Sequence, residues 1–153
     1  MQREYPAAPI AGVGAIVVSA EEPARVLVVR RGREPMRGNW SLPGGVLELG
    51  ETLHEGVRRE IKEETGLDVE VVAHIETFER TSRDDDGRVR YHYVISDWLC
   101  RVTGGELQCG DDADAAEWLT ETEIVQNTRC PMDAFARAVV AKALAIHRGL
   151  SRA

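Results

Sequence analysis

The chain is predicted to fold as an α/β protein, a sheet covered by helices. Three observations predict this. Stretches rich in Val and Ile alternate with turn residues, as strands do. Two stretches with helical periodicity stand in the middle and at the end of the chain. The 153 residues, 43% of them hydrophobic, suit one domain over 1–153 with an ordinary core and no need of staples.

The elements follow in order. Residues 1–9 read as an extended arm broken by Pro6 and Pro9. Ile10 to Ser19 and Arg25 to Arg31 read as two strands of a hairpin turning at Glu21-Glu22-Pro23. Gly32 to Asn39 is a loop. Trp40 to Leu42 is a short strand that ends at the turn Pro43-Gly44-Gly45. Leu53 to Glu64 is a helix stopped by Gly66. Asp68 to Arg80 and Val89 to Val102 are strands joined through Asp84-Asp85-Asp86-Gly87. Gly104-Gly105 and Asp111 to Asp114 mark loops, Ala115 to Leu119 a short strand, and Glu121 to Gln126 a small helix. Met132 to Arg148 is an Ala-rich helix with Phe135, Val139, Ala143 and Ile146 as its buried stripe.

Charge and composition exclude several classes. A net charge of -7 opposes a duplex nucleic-acid binder, which needs a basic footprint. Cys100, Cys109 and Cys130 form no CxxC pair, so a zinc knuckle or a thioredoxin-like centre is unsupported. The first residues hold no apolar signal core, and no apolar run is long enough to span a bilayer. A soluble cytoplasmic protein without a membrane partner is expected. His54, His74, His92 and His147 lack HExxH spacing, and Ser41 sits in no GxSxG elbow. Asp84 to Asp86 lacks the remaining acids of an EF-hand and reads as a turn. Arg30, Arg31, Arg33 and Arg37 read as solvated surface, and Trp40, Phe78, Tyr91 and Trp98 as core in preference to base-stacking platforms.

The segment Gly45 to Leu67 carries the chemistry. With Leu53 set at zero on a helical wheel, Val57 and Ile61 fall near ~40° and ~80°, and the three make a core stripe. Glu55, Arg58 and Lys62 fall on the solvent side. Glu64 falls near ~20°, inside the apolar sector, Glu60 near ~340° at its edge, and Glu63 near ~280°. A helix selected for packing alone would place apolar residues there. Like charges at this spacing repel, and burial raises the cost. A hard divalent cation, Mg²⁺ or Mn²⁺, relieves it and also suits substrate phosphates. Gly56, near ~300°, would leave room for metal, water or phosphate. Gly44 and Gly45 offer tight backbone whose exposed amides can approach phosphate oxygens. Against this stands a solvated Glu-rich face, and the helix by itself does not choose between the two.

Gly45, five residues, Glu51, seven residues, Arg59-Glu60-Ile61, one residue, Glu63-Glu64, one residue and Gly66-Leu67 resembles the Nudix box at every specified position. The motif covers 23 of the 153 residues. The resemblance implies an α/β/α sandwich around a central mixed sheet. It also implies hydrolysis of a pyrophosphate bond in a nucleoside diphosphate derivative. Glu60, Glu63 and Glu64 would ligate the metal, and Arg59 would hold a glutamate in place. Gly44 and Gly45 would shape the substrate-binding loop. Glu51 would brace that loop or support a metal through water; a helix-start charge favoured by the macrodipole is an equal reading. The general base comes from the box or from a later loop. That loop offers Asp111, Asp112, Asp114 and Glu117, of which Asp112 is preferred; an Asp-rich turn is the competing reading.

The expected partner is a small phosphorylated nucleotide. ADP-ribose and an oxidised nucleoside triphosphate are the leading substrates. One ADP-ribose group of the family carries a proline where this chain reads Thr81-Ser82-Arg83, which weakens that assignment. Family members are often homodimers. The alternative is a non-catalytic Nudix-like sensor; such domains usually lose box carboxylates, and this chain keeps them all. A plain acidic metal-binding protein would leave Gly45 and Arg59 unexplained.

Overall fold

A computed structural model describes residues 2–33, 36–110 and 112–152. The strands are β1 (Ile10–Val18), β2 (Arg25–Arg31), β3 (Trp40–Ser41), β4 (Gly44–Val46), β5 (Leu67–Arg83), β6 (Val89–Gly105) and β7 (Ala113–Thr120). The helices are α1 (Leu53–Thr65), α2 (Glu121–Gln126) and α3 (Ala134–Ser151). Among the described residues the seven strands form one mixed sheet with central order β3-β2-β1-β6-β5. β4 adds to β1 and β7 to β2. β1 runs parallel to β6 over nine residue pairs, from Ile10↔Tyr93 to Val18↔Arg101.

β1 explains the layering. Its residues are apolar on both faces, as a central strand buried on both sides requires. Val13, Ala15 and Val17 pack with Val57 and Ile61 of α1. Ile16 and Val18 pack with Ile124 of α2 and Val139, Val140, Ala143 and Leu144 of α3. The result is the expected α/β/α sandwich. Val57 and Ile61 are fully buried, and each contributes roughly 1.5–3 kcal/mol by leaving water.

The β1–β2 hairpin is only partly as expected. The two strands pair at Val18↔Val26 and then splay. β2 turns to β7 over seven residue pairs, while β1 takes β6 and β4. The splayed end admits β3 and β4, one on each strand. Pro43-Gly44-Gly45 is therefore not a free turn with exposed amides. Gly44 and Gly45 lie half-buried in an antiparallel strand. A Cβ on Gly44 would collide with the Val13 carbonyl, so only glycine lets the strands approach this closely.

α1 starts where Thr52 accepts a hydrogen bond from the Glu55 amide at 3.1 Å and Glu55 accepts one from the Thr52 amide at 3.1 Å. This is a capping box, legible as T-x-x-E in the sequence. Gly66 ends the helix at φ +77 and donates to the Lys62 carbonyl at 3.0 Å. Leu53, expected in the core stripe, is 39% exposed, because the cap places the first turn beyond the sheet.

In α3 the buried residues are Val139, Val140, Ala143 and Leu144. Phe135 is 40% exposed and meets Phe78 at the helix's first turn instead of entering the core, and Ile146 is only partly buried. β6 runs on through Gly104-Gly105, expected as a loop, because its ladder with Leu67 and Asp68 continues there.

Candidate active site

α1 leaves the sheet with its carboxylates toward β4 and the preceding loop. Arg59 sits at the centre. Its Nε donates to Glu51 Oε2 at 2.6 Å and its Nη2 to Glu51 Oε1 at 2.9 Å, a two-pronged pair. Nη2 also donates to the Val46 carbonyl at 3.0 Å. Nη1 donates to Glu60 Oε1 at 2.8 Å and to Glu63 Oε2 at 3.2 Å. One guanidinium thus ties three carboxylates and the strand before the loop into a single body. This is more than a surface pair with Glu63 alone, and Glu55 is occupied in the cap.

Glu51 also accepts the Glu48 amide at 2.9 Å, so it braces the loop. Its side chain is 12% exposed and both its oxygens accept from Arg59. That guanidinium, more than any other influence, holds its carboxyl below the ordinary range.

Glu60 and Glu64 behave oppositely. Burial, the largest cause, raises the Glu60 carboxyl; Arg59 pulls it back, while the charges of Glu63 and Asp112 push it up. Burial raises the Glu64 carboxyl to about 7, with the charge of Glu60 next; the Gly44 amide hydrogen bond opposes this, and Asp112 adds to it. Glu64 therefore occupies the apolar sector that the helical wheel assigned to it. Gly45 is required for the same reason: a Cβ there would strike the Glu60 carboxylate. The space beside Gly56 is not open to a ligand as expected. A Cβ there would stand 2.6 Å from Leu47 Cδ1 and 3.1 Å from Glu51 Oε1, so the loop itself fills it.

A polar cavity of about 480 Å³ opens on this cluster, lined by Arg3, Glu48, Arg59, Glu60, Glu63 and Asp112 among others. Asp112 is exposed on its rim, 3.5 Å from Arg33 Nε. Asp114 pairs instead with Arg30 at 2.7 Å, and Glu117 with Arg129 at 2.8 Å. Asp111 lies outside the described residues. The aromatic residues stand elsewhere: Trp98 between the rings of His54 and His74, Trp40 under Arg30, Tyr91 beside Tyr93. Sequence reasoning missed Arg3, Glu48 and the Val46 carbonyl. Glu48 and Val46 lie within the motif's unspecified positions, and Arg3 carries no local signal at all.

The donor set suits a hard divalent ion. It is made of carboxylate oxygens, and burial leaves the charges of Glu60 and Glu64 incompletely compensated. Among the described residues no three such side chains form a ready-made cage. Mg²⁺ seldom requires one, since it keeps waters and takes substrate phosphates as ligands.

Residues 8–142 match the family model described as NUDIX domain, and the chain belongs to the Nudix family. It is 41% identical over 98 residues to an ADP-ribose pyrophosphatase of Methanocaldococcus jannaschii, a match covering 64% of this chain and 56% of that protein. It is 34% identical over 113 residues to an 8-oxo-dGDP phosphatase of Homo sapiens, covering 71% of this chain and 32% of that protein. The chain thus spans about half of one relative and a third of the other. The NUDIX domain of Shewanella oneidensis NrtR, solved with ADP-ribose, superposes with a TM-score of 0.69 over 92% of this chain and 89% of that one. At 21% identity that likeness is one of fold. Among the described residues no helix is long and apolar enough to cross a membrane.

Proposed function

We propose that the chain hydrolyses a pyrophosphate bond in a nucleoside diphosphate derivative with the help of Mg²⁺ or Mn²⁺. The observation that carries this reading is the convergence of Glu60, Glu63 and Asp112 on one polar cavity, with Glu64 beside Glu60 and Arg59 binding the cluster. Glu60, Glu63 and Glu64 would hold the metal. When bound, the ion polarises the phosphoryl oxygens and lowers the pKa of a bound water.

The chain's own residues do the rest. Arg59 fixes the rotamers of Glu60 and Glu63 and, through Glu51, the shape of the loop. Such supporting contacts set ligand geometry and are worth about 10–100-fold in activity. Both Glu51 oxygens are engaged by Arg59, so bracing is the role assigned to it. Gly44 donates its amide to Glu64, and Gly45 clears space for the Glu60 carboxylate. Asp112, exposed at the rim, is assigned to receive the proton of the attacking water. A cavity of this size matches small-molecule sites.

ADP-ribose and an oxidised guanine nucleotide are the substrates favoured by the names of the relatives. The test is product release from a panel of ADP-ribose, dinucleotides, nucleotide sugars, and normal and oxidised nucleoside di- and triphosphates, each with Mg²⁺, Mn²⁺ or EDTA. Metal-dependent turnover of one compound supports the reading and names the substrate class. Saturable binding without turnover would replace it with the sensor reading.

A further inference from the structure

The N-terminal arm is pinned far more firmly than an arm outside the core requires. Tyr5 stands at φ +52, a left-handed conformation uncommon for a residue with a side chain. Three contacts hold it there. Its amide donates to the Arg90 carbonyl at 2.7 Å, its hydroxyl donates to Asp84 at 2.8 Å, and the Arg88 guanidinium lies 5.0 Å from its ring centre. Glu4 pairs with Arg90 at 2.7 Å. On the other side of Arg3, Gln2 donates to the Glu4 carbonyl at 2.9 Å. The backbone that follows Arg3 is therefore secured against the end of the β5–β6 hairpin, and the Gln2 side chain folds back onto it.

Arg3 is the residue this bracing delivers to the cavity. It lines the cavity together with Glu48, Glu60, Glu63 and Asp112. Yet Arg3 is exposed, and among the described residues it makes no hydrogen bond or ion pair. A cationic residue that shares a cavity wall with four carboxylates and pairs with none of them is placed for a ligand that comes between them. The ligand must carry negative charge and several acceptors, and a phosphate matches the guanidinium fork.

We infer that Arg3 binds a phosphate of the nucleoside diphosphate substrate, and that the Tyr5 latch holds it in place to do so. This rests on the proposed hydrolase reading for the occupant of the cavity. The bound phosphate would sit between Arg3 and the carboxylate cluster. The arm then forms part of the substrate site, although it lies outside the motif that identifies the family.

The experiment separates binding from turnover. Native chain, Arg3→Ala, Arg3→Lys and Tyr5→Ala are titrated with methylene-bridged analogues of ADP-ribose and dGTP in Mg²⁺. Turnover is measured with the compounds of the panel. Arg3→Ala should weaken the analogue that binds roughly tenfold and lower kcat/KM to match, chiefly through KM. Arg3→Lys should recover part of the loss, and Tyr5→Ala should reproduce it without shifting the melting temperature of the core by more than a few degrees. Native-like binding by Arg3→Ala, or no binding of either analogue by the native chain, overturns the inference. Turnover with an unchanged KM in Arg3→Ala sinks the inference and spares the hydrolase reading. Tight analogue binding that depends on Arg3, without turnover of any compound, sinks the hydrolase reading and spares the inference.

Discussion

Glu64→Gln removes one buried negative charge while keeping the size of the side chain and its acceptor for the Gly44 amide. In the metal-free protein the Glu64 carboxyl is raised from 4.5 to about 7, by burial first and by Glu60 second. At about 1.4 kcal/mol per pH unit this displacement is worth roughly 3 kcal/mol. The folded chain holds this proton more tightly than the unfolded chain does. The contribution to stability is therefore complete below about 4.5 and is lost as pH rises through about 7. Glutamine has no such proton, so in EDTA the variant should gain on the native chain as pH goes from 4.5 to 8, by up to roughly 3 kcal/mol. For a chain of this length that is roughly 6–12 °C in melting temperature. Saturating Mg²⁺ should narrow the gap by compensating the native carboxylate. Turnover should fall about a hundredfold or more, since a metal ligand is lost. Thermal melts in EDTA and in Mg²⁺ at both pH values, with turnover beside them, make the assay. Equal melting of the two proteins in EDTA at pH 5 and pH 8 would refute the burial argument. Native turnover by the variant would remove Glu64 from the metal set.

Arg59→Lys should destabilise the chain by about 1–3 kcal/mol and lower kcat about 10–100-fold, because an ammonium cannot make the two-pronged bond to Glu51 while also reaching Glu60; chemical denaturation and steady-state kinetics check both. Gly45→Ala should fold but lose roughly tenfold or more in metal affinity, as its methyl displaces the Glu60 carboxylate; a Mn²⁺ titration reads this directly. Asp97 is buried in β6 against Gly14, and burial, with Glu76 second, raises its carboxyl to about 6. Its contribution is likewise present at low pH and lost as pH rises through about 6, so Asp97→Asn should gain roughly 3 kcal/mol on the native chain between pH 3.8 and pH 8, measured by denaturant melts.

The sequence by itself determined most of what depends on local periodicity and on short-range chemistry. Val57 and Ile61 at helical spacing, Gly66 at the helix end and the apolar run of β1 each specify their element through neighbours only a few residues away. The wheel position of Glu64 already marked a carboxylate turned toward the core, since a helix translates spacing into direction. The Nudix motif is of the same kind, a helix and the loop before it written in one stretch.

Tertiary structure decided what distant segments do to each other. The splaying of β1 from β2 follows from competition with β6 and β7, whose ladders bury more than a local hairpin does, and no window around Glu21-Glu22-Pro23 reports it. Gly44 and Gly45 read as a turn because their reasons for lacking a side chain, the Val13 carbonyl and the Glu60 carboxylate, lie about thirty residues upstream and fifteen residues downstream. Phe135 matched the helical stripe yet stays at the edge against Phe78, because the core is filled by β1, β2 and by Val139, Val140, Ala143 and Leu144. Arg3 lines the carboxylate cavity from an arm in which Tyr5 meets Asp84, Arg88 and Arg90 at the far end of a hairpin. Periodicity is a property of neighbours along the chain, whereas a cavity is made by the few contacts that bring remote segments together, and those emerge only when the whole chain has packed.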